Sequence, residues 1–441
     1  MIGAPTRKVN GFAVCRGGVL SDGILLKPLV IGVPGLEAYR QAGGFQALER
    51  VVREMRPADV VEIIRTAGLR GRGGAGFPTG RKWDIVARHR NPERYVVCNA
   101  GEHEPGTFKD RHLLNVNPFQ LLEGLAIAAY AVGAKQSFLF MNGAFTDEIE
   151  IVRSALNQTI ERGMLGDHLF GTHFNCRPEI FLGPDRYVAG EETAMLEAMQ
   201  GRTPMPKHKP PFYPTEYGLW GKPTLVNNVE TLSNIPHIVR NGAEWFRRVG
   251  TPVAPGTMLF SLSGDIQRSG VYELPLGTPL RALIEDCGGG VQSGRRIKAV
   301  YPGGPSFAFL TEKDLDVRLD FESLRAAGSG LGSAGVIVVD DSRCMVRKTL
   351  EFSRFFEKES CGQCPPCKMG TDYLRQIVER IENGNGEPGD LQSLKQLSGF
   401  VKGRGDCTLI TGAAVTVEAS LRHFVSEFED HIARHRCPSI A

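Results

Sequence analysis

The chain has 441 residues, 41% of them hydrophobic and 23% charged, a composition that allows two to four globular domains with a large core. Its 52 basic against 49 acidic residues leave a net charge of +3, too mild to build a nucleic-acid or anionic-membrane surface. No run reaches the roughly 18 apolar residues of a membrane span, Met1 to Gly23 shows no secretory pattern, and ten cysteines suit a reducing compartment better than a disulfide framework.

In chain order, residues 1–43 are expected to form an irregular, Gly-rich N-terminal arm. Phe45, Leu48, Val51, Val52 and Met55, then Val60, Val61 and Ile64, predict two short amphipathic helices. They lead into a glycine-dense loop, Gly68 to Gly80. Arg94–Cys98 reads as a strand, His112–Ala134 as a helix, Ser137–Met141 as a strand, Thr146–Arg162 as a helix and Glu179–Leu182 as a third strand. Strands alternating with helices indicate an α/β sheet, mostly parallel. Pro204–Pro223 is expected to be a long ordered loop of the kind that carries function. Short strands at Met258–Ser263, Ile297–Val300 and Val336–Val339 around one helix, Leu280–Asp286, indicate a small α+β unit. Beyond Ser342 the periodicity is helical, with Cys361–Cys367 in a loop between Val346–Lys358 and Asp372–Ile381. The expected division is 1–43, 44–250, 251–340 and 341–441.

Cys361, Cys364 and Cys367 have the Cys-x2-Cys-x2-Cys spacing of three corners of a 4Fe-4S cluster, whose four irons each need a thiolate. Candidates for the fourth ligand are Cys344, Cys407 and Cys437. Cys407 is favoured because a loop between two predicted helices can aim a sulfur at a cluster, whereas Cys437 is expected to fray with the C-terminal tail. Zinc would call for paired Cys-x2-Cys knuckles, which this spacing lacks. Cys15, Cys98, Cys176 and Cys287 are isolated and read as small buried apolar residues.

Gly71, Gly73 and Gly76 form a G-x-G-x-x-G, but the predicted helix Val60–Thr66 precedes it and Phe77-Pro78 follows, which is not the strand–turn–helix context of a dinucleotide fingerprint. What the loop retains is bare backbone, with Arg70 and Arg72 beside it, able to approach a phosphate or a flat ring. Asn99–Arg111, with Glu102, Glu104 and Lys109, lies at the carboxyl end of a strand, where open α/β sheets bind ligands. Gly190-Glu191-Glu192-Thr193 opens a helix whose dipole favours first-turn carboxylates. Asn227-Asn228-Val229-Glu230-Thr231 reads as an N-cap pair whose helix could receive a phosphate.

The run Gly68–Trp83, Glu104-Pro105-Gly106-Thr107, Gly190-Glu191-Glu192-Thr193, Lys209-Pro210-Pro211-Phe212, Asn227–Thr231 and Glu359-Ser360-Cys361-Gly362-Gln363-Cys364 stand in the order of one family. From about Tyr39 to Phe424 the chain resembles the 51-kDa flavoprotein subunit of NADH:quinone oxidoreductase, respiratory complex I. That family is shared with NAD-linked hydrogenases and formate dehydrogenases. The resemblance implies an α/β fold: a modified Rossmann-like FMN domain, a small ubiquitin-like, SLBB-type α+β domain and a C-terminal four-helix bundle carrying one 4Fe-4S cluster. It implies FMN bound by Gly71, Arg72, Gly73, Lys82, Asn99, Glu102, Tyr187, Gly190, Glu191, Asn227, Asn228 and Thr231. NADH would meet Phe77, Glu104, Glu192, Lys209 and Phe212, with the two rings stacking on adenine. The cluster ligands would be Cys361, Cys364, Cys367 and Cys407.

The implied activity is NADH dehydrogenation, with no side chain needed as a general base. The implied partners are a small thioredoxin-like 2Fe-2S subunit and a large iron-sulfur subunit, at the cytoplasmic or matrix-side face of a membrane complex, with no direct membrane insertion and no nucleic acid. Glu104 and Glu192 would repel a ribose 2′-phosphate and favour NADH over NADPH. The alternatives are a diaphorase subunit of a soluble hydrogenase or formate dehydrogenase, and a catalytically silent iron-sulfur scaffold. Complex I is preferred because the thioredoxin-like and ferredoxin-like extensions often fused in the soluble enzymes are not seen. Two departures stand out: Gly101 where the family has Asp, which removes a carboxylate near the flavin, and Asn142-Gly143-Ala144-Phe145 where it has Arg-Gly-Glu-Tyr.

Overall fold

A computed structural model describes residues 23–26 and 35–437. Most of the expected arm, with Cys15, lies outside the described residues. Within the expected arm, Leu36–Gln41 is helical, and the backbone N–H groups of Ile24, Leu25 and Leu26 donate to the Glu273 carboxylate at 2.8–3.1 Å.

The first sheet contains β1 (Tyr95–Ala100), β2 (Gln136–Asn142), β3 (Glu179–Gly183) and β4 (Thr224–Asn228), in the order β3-β2-β1-β4 and parallel throughout. β1, β2 and β4 are buried almost continuously along their length, as strands covered on both faces must be. Register sets Asn99 opposite Asn228 and Cys98 opposite Asn227, so the carboxyl ends of β1 and β4 bring three asparagines together. The anticipated helix over 112–134 is two helices, Lys109–Val116 and Pro118–Val132. Asn117 accepts from the Gln120 N–H at 3.4 Å and Pro118 occupies the first helical position, so a cap and a proline break the run. Glu123, buried in the second of these helices, accepts from Tyr39 Oη at 2.6 Å and from the Phe45 and Leu48 N–H groups, which ties the N-terminal helices to the sheet.

The second sheet holds β5 (Thr257–Gly264), β6 (Gly270–Pro275), β7 (Ile297–Tyr301) and β8 (Gly335–Asp340), in the order β6-β5-β8-β7, with β5 and β8 parallel and the outer pairs antiparallel. β6 and the helix Phe321–Ala326 were not anticipated. Cys287 is disulfide-bonded, so it is not isolated, but like Cys98 and Cys176 it is buried as expected.

The helices Met345–Glu359, Pro365–Glu382, Gly389–Val401 and Leu409–Arg434 pack around Phe352, Phe356, Leu374, Val378, Ile410, Val417 and Phe428. The second starts at Pro365, so Cys367 lies in its first turn and not in a loop. Cys437 is buried, which corrects the expectation that it frays. Leu259 N–H donates to Glu230 (2.9 Å) and Phe108 N–H to Ser261 Oγ (3.0 Å), joining the two sheets; Thr416 Oγ1 donates to Pro305 O (2.6 Å), joining the second sheet to the helices. Among the described residues no helix is long and apolar enough to cross a membrane.

Candidate functional site

The glycine loop is pinned at its base by Gly71 N–H to Phe77 O and Thr79 N–H to Leu69 O, both 2.9 Å, and by Arg70 Nε to Gly76 O at 2.8 Å. Its tip is bare backbone. A Cβ added to Gly71 would meet only the Phe77 backbone, at 3.5 Å, while one added to Gly73 would lie 3.1 Å from Asn228 Cβ, closer than neighbouring carbons settle. The loop thus rests against the end of β4, and Arg72 N–H donates to Thr231 Oγ1 at 2.8 Å.

The Arg72 side chain turns away from this surface. It is fully buried between the two sheets, donates to Pro255 O and Thr257 O, and lies 3.9 Å from Glu230. Burial lowers its pKa to about 10, against the opposing pull of Glu230, and it stays charged at neutral pH. Lys109 Nζ reaches Glu230 at 2.8 Å and Asp110 at 2.9 Å, and Asn228 Nδ2 donates to Asp110 at 2.5 Å. Burial works against the Lys109 ammonium, but the charges of Asp110 and Glu230 outweigh it and hold the lysine protonated. Of the residues expected to touch FMN, Arg72 therefore offers its backbone alone.

At the carboxyl edge of the sheet, Asn99 Nδ2 donates to Gly190 O (2.9 Å) and Trp83 Nε1 to Asn227 Oδ1 (2.8 Å), and Asn228 caps the helix after β4 by accepting from Glu230 N–H (3.0 Å). Lys82 Nζ bridges Val226 O and Glu192, both at 3.1 Å, while Lys209 Nζ bridges Glu191 (2.7 Å) and Glu192 (3.3 Å). Burial opposes ionisation of Glu192, but these two ammonium groups prevail and hold its carboxyl below the usual range. Glu191 also caps its helix, accepting from the Thr193 and Ala194 N–H groups. Glu104 accepts from Tyr187 Oη at 2.6 Å and from Ser306 N–H at 3.3 Å, and burial raises its pKa. Glu102 points elsewhere, accepting from the Asp110 and Arg111 N–H groups at the start of the helix Lys109–Val116; burial, then the Asp110 charge, push it up to about 7. Phe77 and Phe212 are each 40% exposed.

The four predicted cluster cysteines converge. Cys361, Cys364, Cys367 and Cys407 line one apolar cavity with Val188, Pro206, Gly405, Asp406 and Leu409. Gln363 Nε2 clamps its mouth, donating to Pro206 O (2.8 Å) and Asp406 (2.7 Å), and Asp406 N–H donates to Cys364 Sγ at 3.3 Å. Burial pushes Cys364 up to about 11 and Cys407 up to about 12, so iron binding must displace protons. Val188 lines this cavity while Gly190 meets Asn99 at the flavin-side edge. A single residue, Ala189, and at most about 7.6 Å between Cα atoms separate Val188 at the one site from Gly190 at the other.

Both donor sets fit the expected groups: four thiols facing one cavity fit a cubane cluster, and the bare backbone of Gly71 and Gly73 beside the end of β4 fits a phosphate or a flat ring. At the far side of this edge the His103 ring nitrogens are buried and make no hydrogen bond, Nε2 lying 3.6 Å from Asp185, and a Cβ added to Gly190 would lie 3.8 Å from Nδ1. Residues 64–237 match the Nuo51 FMN-binding domain, residues 259–310 the SLBB domain and residues 347–431 the NADH-ubiquinone oxidoreductase-F iron-sulfur binding region. The F 2 subunit of the Rhizobium meliloti NADH-quinone oxidoreductase is 46% identical over 403 residues, 91% of this chain and 96% of that relative. The chain belongs to the Nuo51 family of NADH-quinone oxidoreductase subunits. The HndC subunit of the NADP-reducing hydrogenase of Solidesulfovibrio fructosivorans is 41% identical over 404 residues, 92% of this chain and 82% of that protein. An NAD+-reducing NiFe-hydrogenase crystallised in the H2-reduced state matches with a TM-score of 0.79 at 34% identity, covering 90% of this chain and 65% of that one. The present chain thus spans just under two thirds of that hydrogenase chain.

As in the family's domains, the cofactors are FMN and a 4Fe-4S cluster. Sequence reasoning did not single out His103, although it stands inside the polar turn recognised after β1. It also gave no hint of Ser306, which comes to Glu104 from the turn after β7, 202 positions away.

Proposed function

We propose that this chain is the NADH-oxidising, electron-input subunit of a multi-subunit NADH:quinone oxidoreductase. The observation that carries the reading is the segment Val188–Gly190, shared between the thiol cavity and the glycine-lined cradle. FMN, when bound, supplies hydride acceptance from reduced nicotinamide and release of single electrons, and the cluster supplies one-electron relay.

The chain's own residues bind, orient and tune charge. Gly71 and Gly73 give close backbone approach, with Asn99, Gly190, Asn227, Asn228 and Thr231 completing the FMN cradle. Lys82 sets a positive charge beside it, the arrangement that stabilises developing negative charge without reorganisation. Glu102, Tyr187 and Glu191 support this cradle through the backbone they cap or anchor, and Arg72 through its N–H. Phe77 and Phe212 present exposed ring faces to adenine. Glu192, bonded to Lys82 and Lys209, and Glu104, bonded to Tyr187, present acceptors to ribose hydroxyls. Cys361, Cys364, Cys367 and Cys407 hold the cluster. The β5–β8 sheet is the ubiquitin-like domain of this reading, the residues from 341 onward its cluster domain, and its site of action the cytoplasmic or matrix-side face of a membrane complex beside a small 2Fe-2S subunit and a large iron-sulfur subunit.

A second reading, the diaphorase subunit of an NAD(P)-linked hydrogenase, is favoured by the two hydrogenase relatives; the chains that co-purify with this one separate the two. The test of the shared core is anaerobic addition of NADH or NADPH to the FMN-loaded chain. Rapid bleaching of the flavin bands by NADH and much slower bleaching by NADPH are expected. No bleaching by either nucleotide overturns the reading, and equal rates overturn the assigned roles of Glu104 and Glu192.

A further inference from the structure

At the far end of the C-terminal helices from the thiol cavity, four buried or half-buried side chains converge that play no part in the electron path. Cys344, Glu382, His431 and Cys437 bring one sulfur, oxygen or nitrogen atom each within 4.8 Å of one another. They come from the start of the helix Met345–Glu359, the last residue of Pro365–Glu382, the final turns of Leu409–Arg434 and the chain just beyond it. We propose that they form a closed, structural zinc site.

Three separations match a tetrahedral ion. Cys344 Sγ is 3.4 Å from His431 Nε2, His431 Nε2 is 3.3 Å from Glu382 Oε2, and Cys344 Sγ is 4.0 Å from Glu382 Oε2. Zinc with bonds of about 2.3 Å to sulfur and about 2.0–2.1 Å to nitrogen and oxygen places sulfur–nitrogen and sulfur–oxygen pairs about 3.6 Å apart and nitrogen–oxygen pairs about 3.4 Å apart. Two thiolates, an imidazole and a carboxylate form a set that suits zinc over the hard cations, which need more oxygens.

The surroundings orient each ligand. His431 Nδ1 faces Glu427 O at 2.6 Å; a carbonyl only accepts, so Nδ1 carries the proton and Nε2 turns its lone pair to the site. Arg347 Nε holds Glu382 by Oε1 at 2.8 Å, leaving Oε2 for the ion. Arg347 N–H donates to Cys344 Sγ at 3.4 Å from the first turn of a helix, where a thiolate is stabilised. The charges of two thiolates and one carboxylate, minus three, are met by the dication and the Arg347 guanidinium. The 15-residue helix Met345–Glu359 spans about 22 Å, which separates this site from the iron ligands. A metal here would clasp the end of the bundle adjoining β8.

The test is metal analysis of the FMN- and iron-loaded full chain purified without added zinc. One zinc per chain beyond the cluster iron is expected, with a zinc-edge absorption spectrum showing two sulfur and two nitrogen or oxygen neighbours. In a C344A/C437A variant zinc should fall at least tenfold while iron, FMN and NADH-driven flavin bleaching persist. Zinc below a tenth per chain in the wild type, a four-sulfur zinc shell, or zinc unchanged in the variant overturns the proposal. The wild-type spectrum decides the matter should the variant fail to fold, and none of these outcomes bears on electron input.

Discussion

At the glycine cradle the protein's own side chains hold one another in place: Arg72, Lys109, Asp110 and Glu230 form a buried charged network behind the loop, and Glu102, Asn228 and Glu191 cap helices. At the thiol cavity, a few hydrogen bonds from Gln363, Asp406 and Ser360 steady the loop, and the four sulfurs face one another across apolar walls. Buried ion pairs and helix caps thus preorganise the proposed cradle before any cofactor enters it. A cluster held by the four thiolates would add to the cohesion of the cavity, in the way metal binding and folding are coupled elsewhere. Perturbing each site should therefore produce different kinds of damage.

The largest effect is expected from Cys407→Ser, which should remove nearly all of the low-temperature EPR signal of the cluster while NADH-driven bleaching of flavin persists. Loss of both together would erase the contrast. Glu230→Ala leaves Lys109 and Arg72 buried beside a missing counter-charge and should cost about 3–5 kcal/mol of unfolding free energy, measured by denaturant titration; a change below about 1 kcal/mol would show that the network does not hold the cradle. Gly73→Ala, whose methyl would meet Asn228 Cβ at 3.1 Å, should weaken FMN binding by about tenfold, or about 1.4 kcal/mol, with iron content unchanged.

The smallest effect concerns Glu102. Burial first, and the Asp110 charge second, raise its pKa from 4.5 to about 7. Between those values the folded chain holds a proton that the unfolded chain has released, so this group's contribution to stability is greatest below pH 4.5 and declines as pH rises to 7. Measured as the difference between wild type and Glu102→Gln, the wild type's relative stability should fall as pH rises through that window; a difference that grows with pH would contradict the assignment.

Legibility in the sequence followed the range of the interactions. Cys361, Cys364 and Cys367 fall within seven positions, and β1, β2 and β3 are local apolar runs, so spacing alone revealed them. The break at Asn117-Pro118 and the helix start at Pro365 were written in local residues as well, as a cap and two N-terminal prolines, but the longer apolar periodicity outweighed them. β4 was hidden because its five residues follow a proline- and glycine-rich loop and resemble the helix cap that begins at Asn228. Nothing local announces that Arg72 will meet Glu230, or that Cys344 will meet His431, 87 positions on. Such pairings exist only once the sheets and helices have packed. The expected end-fraying of Cys437 failed for the same reason, since its burial is conferred by helices distant in sequence.

The central claim is that electrons taken from NADH at the cradle cross the Val188–Gly190 segment to the thiol cavity. The most direct test is rapid-freeze EPR after anaerobic mixing of the FMN- and iron-loaded chain with NADH. A reduced-cluster signal that develops in step with flavin bleaching, and that vanishes when FMN is removed and returns when it is restored, is the predicted result. A cluster that stays oxidised while the flavin is fully bleached, or that is reduced equally well without FMN, would contradict it.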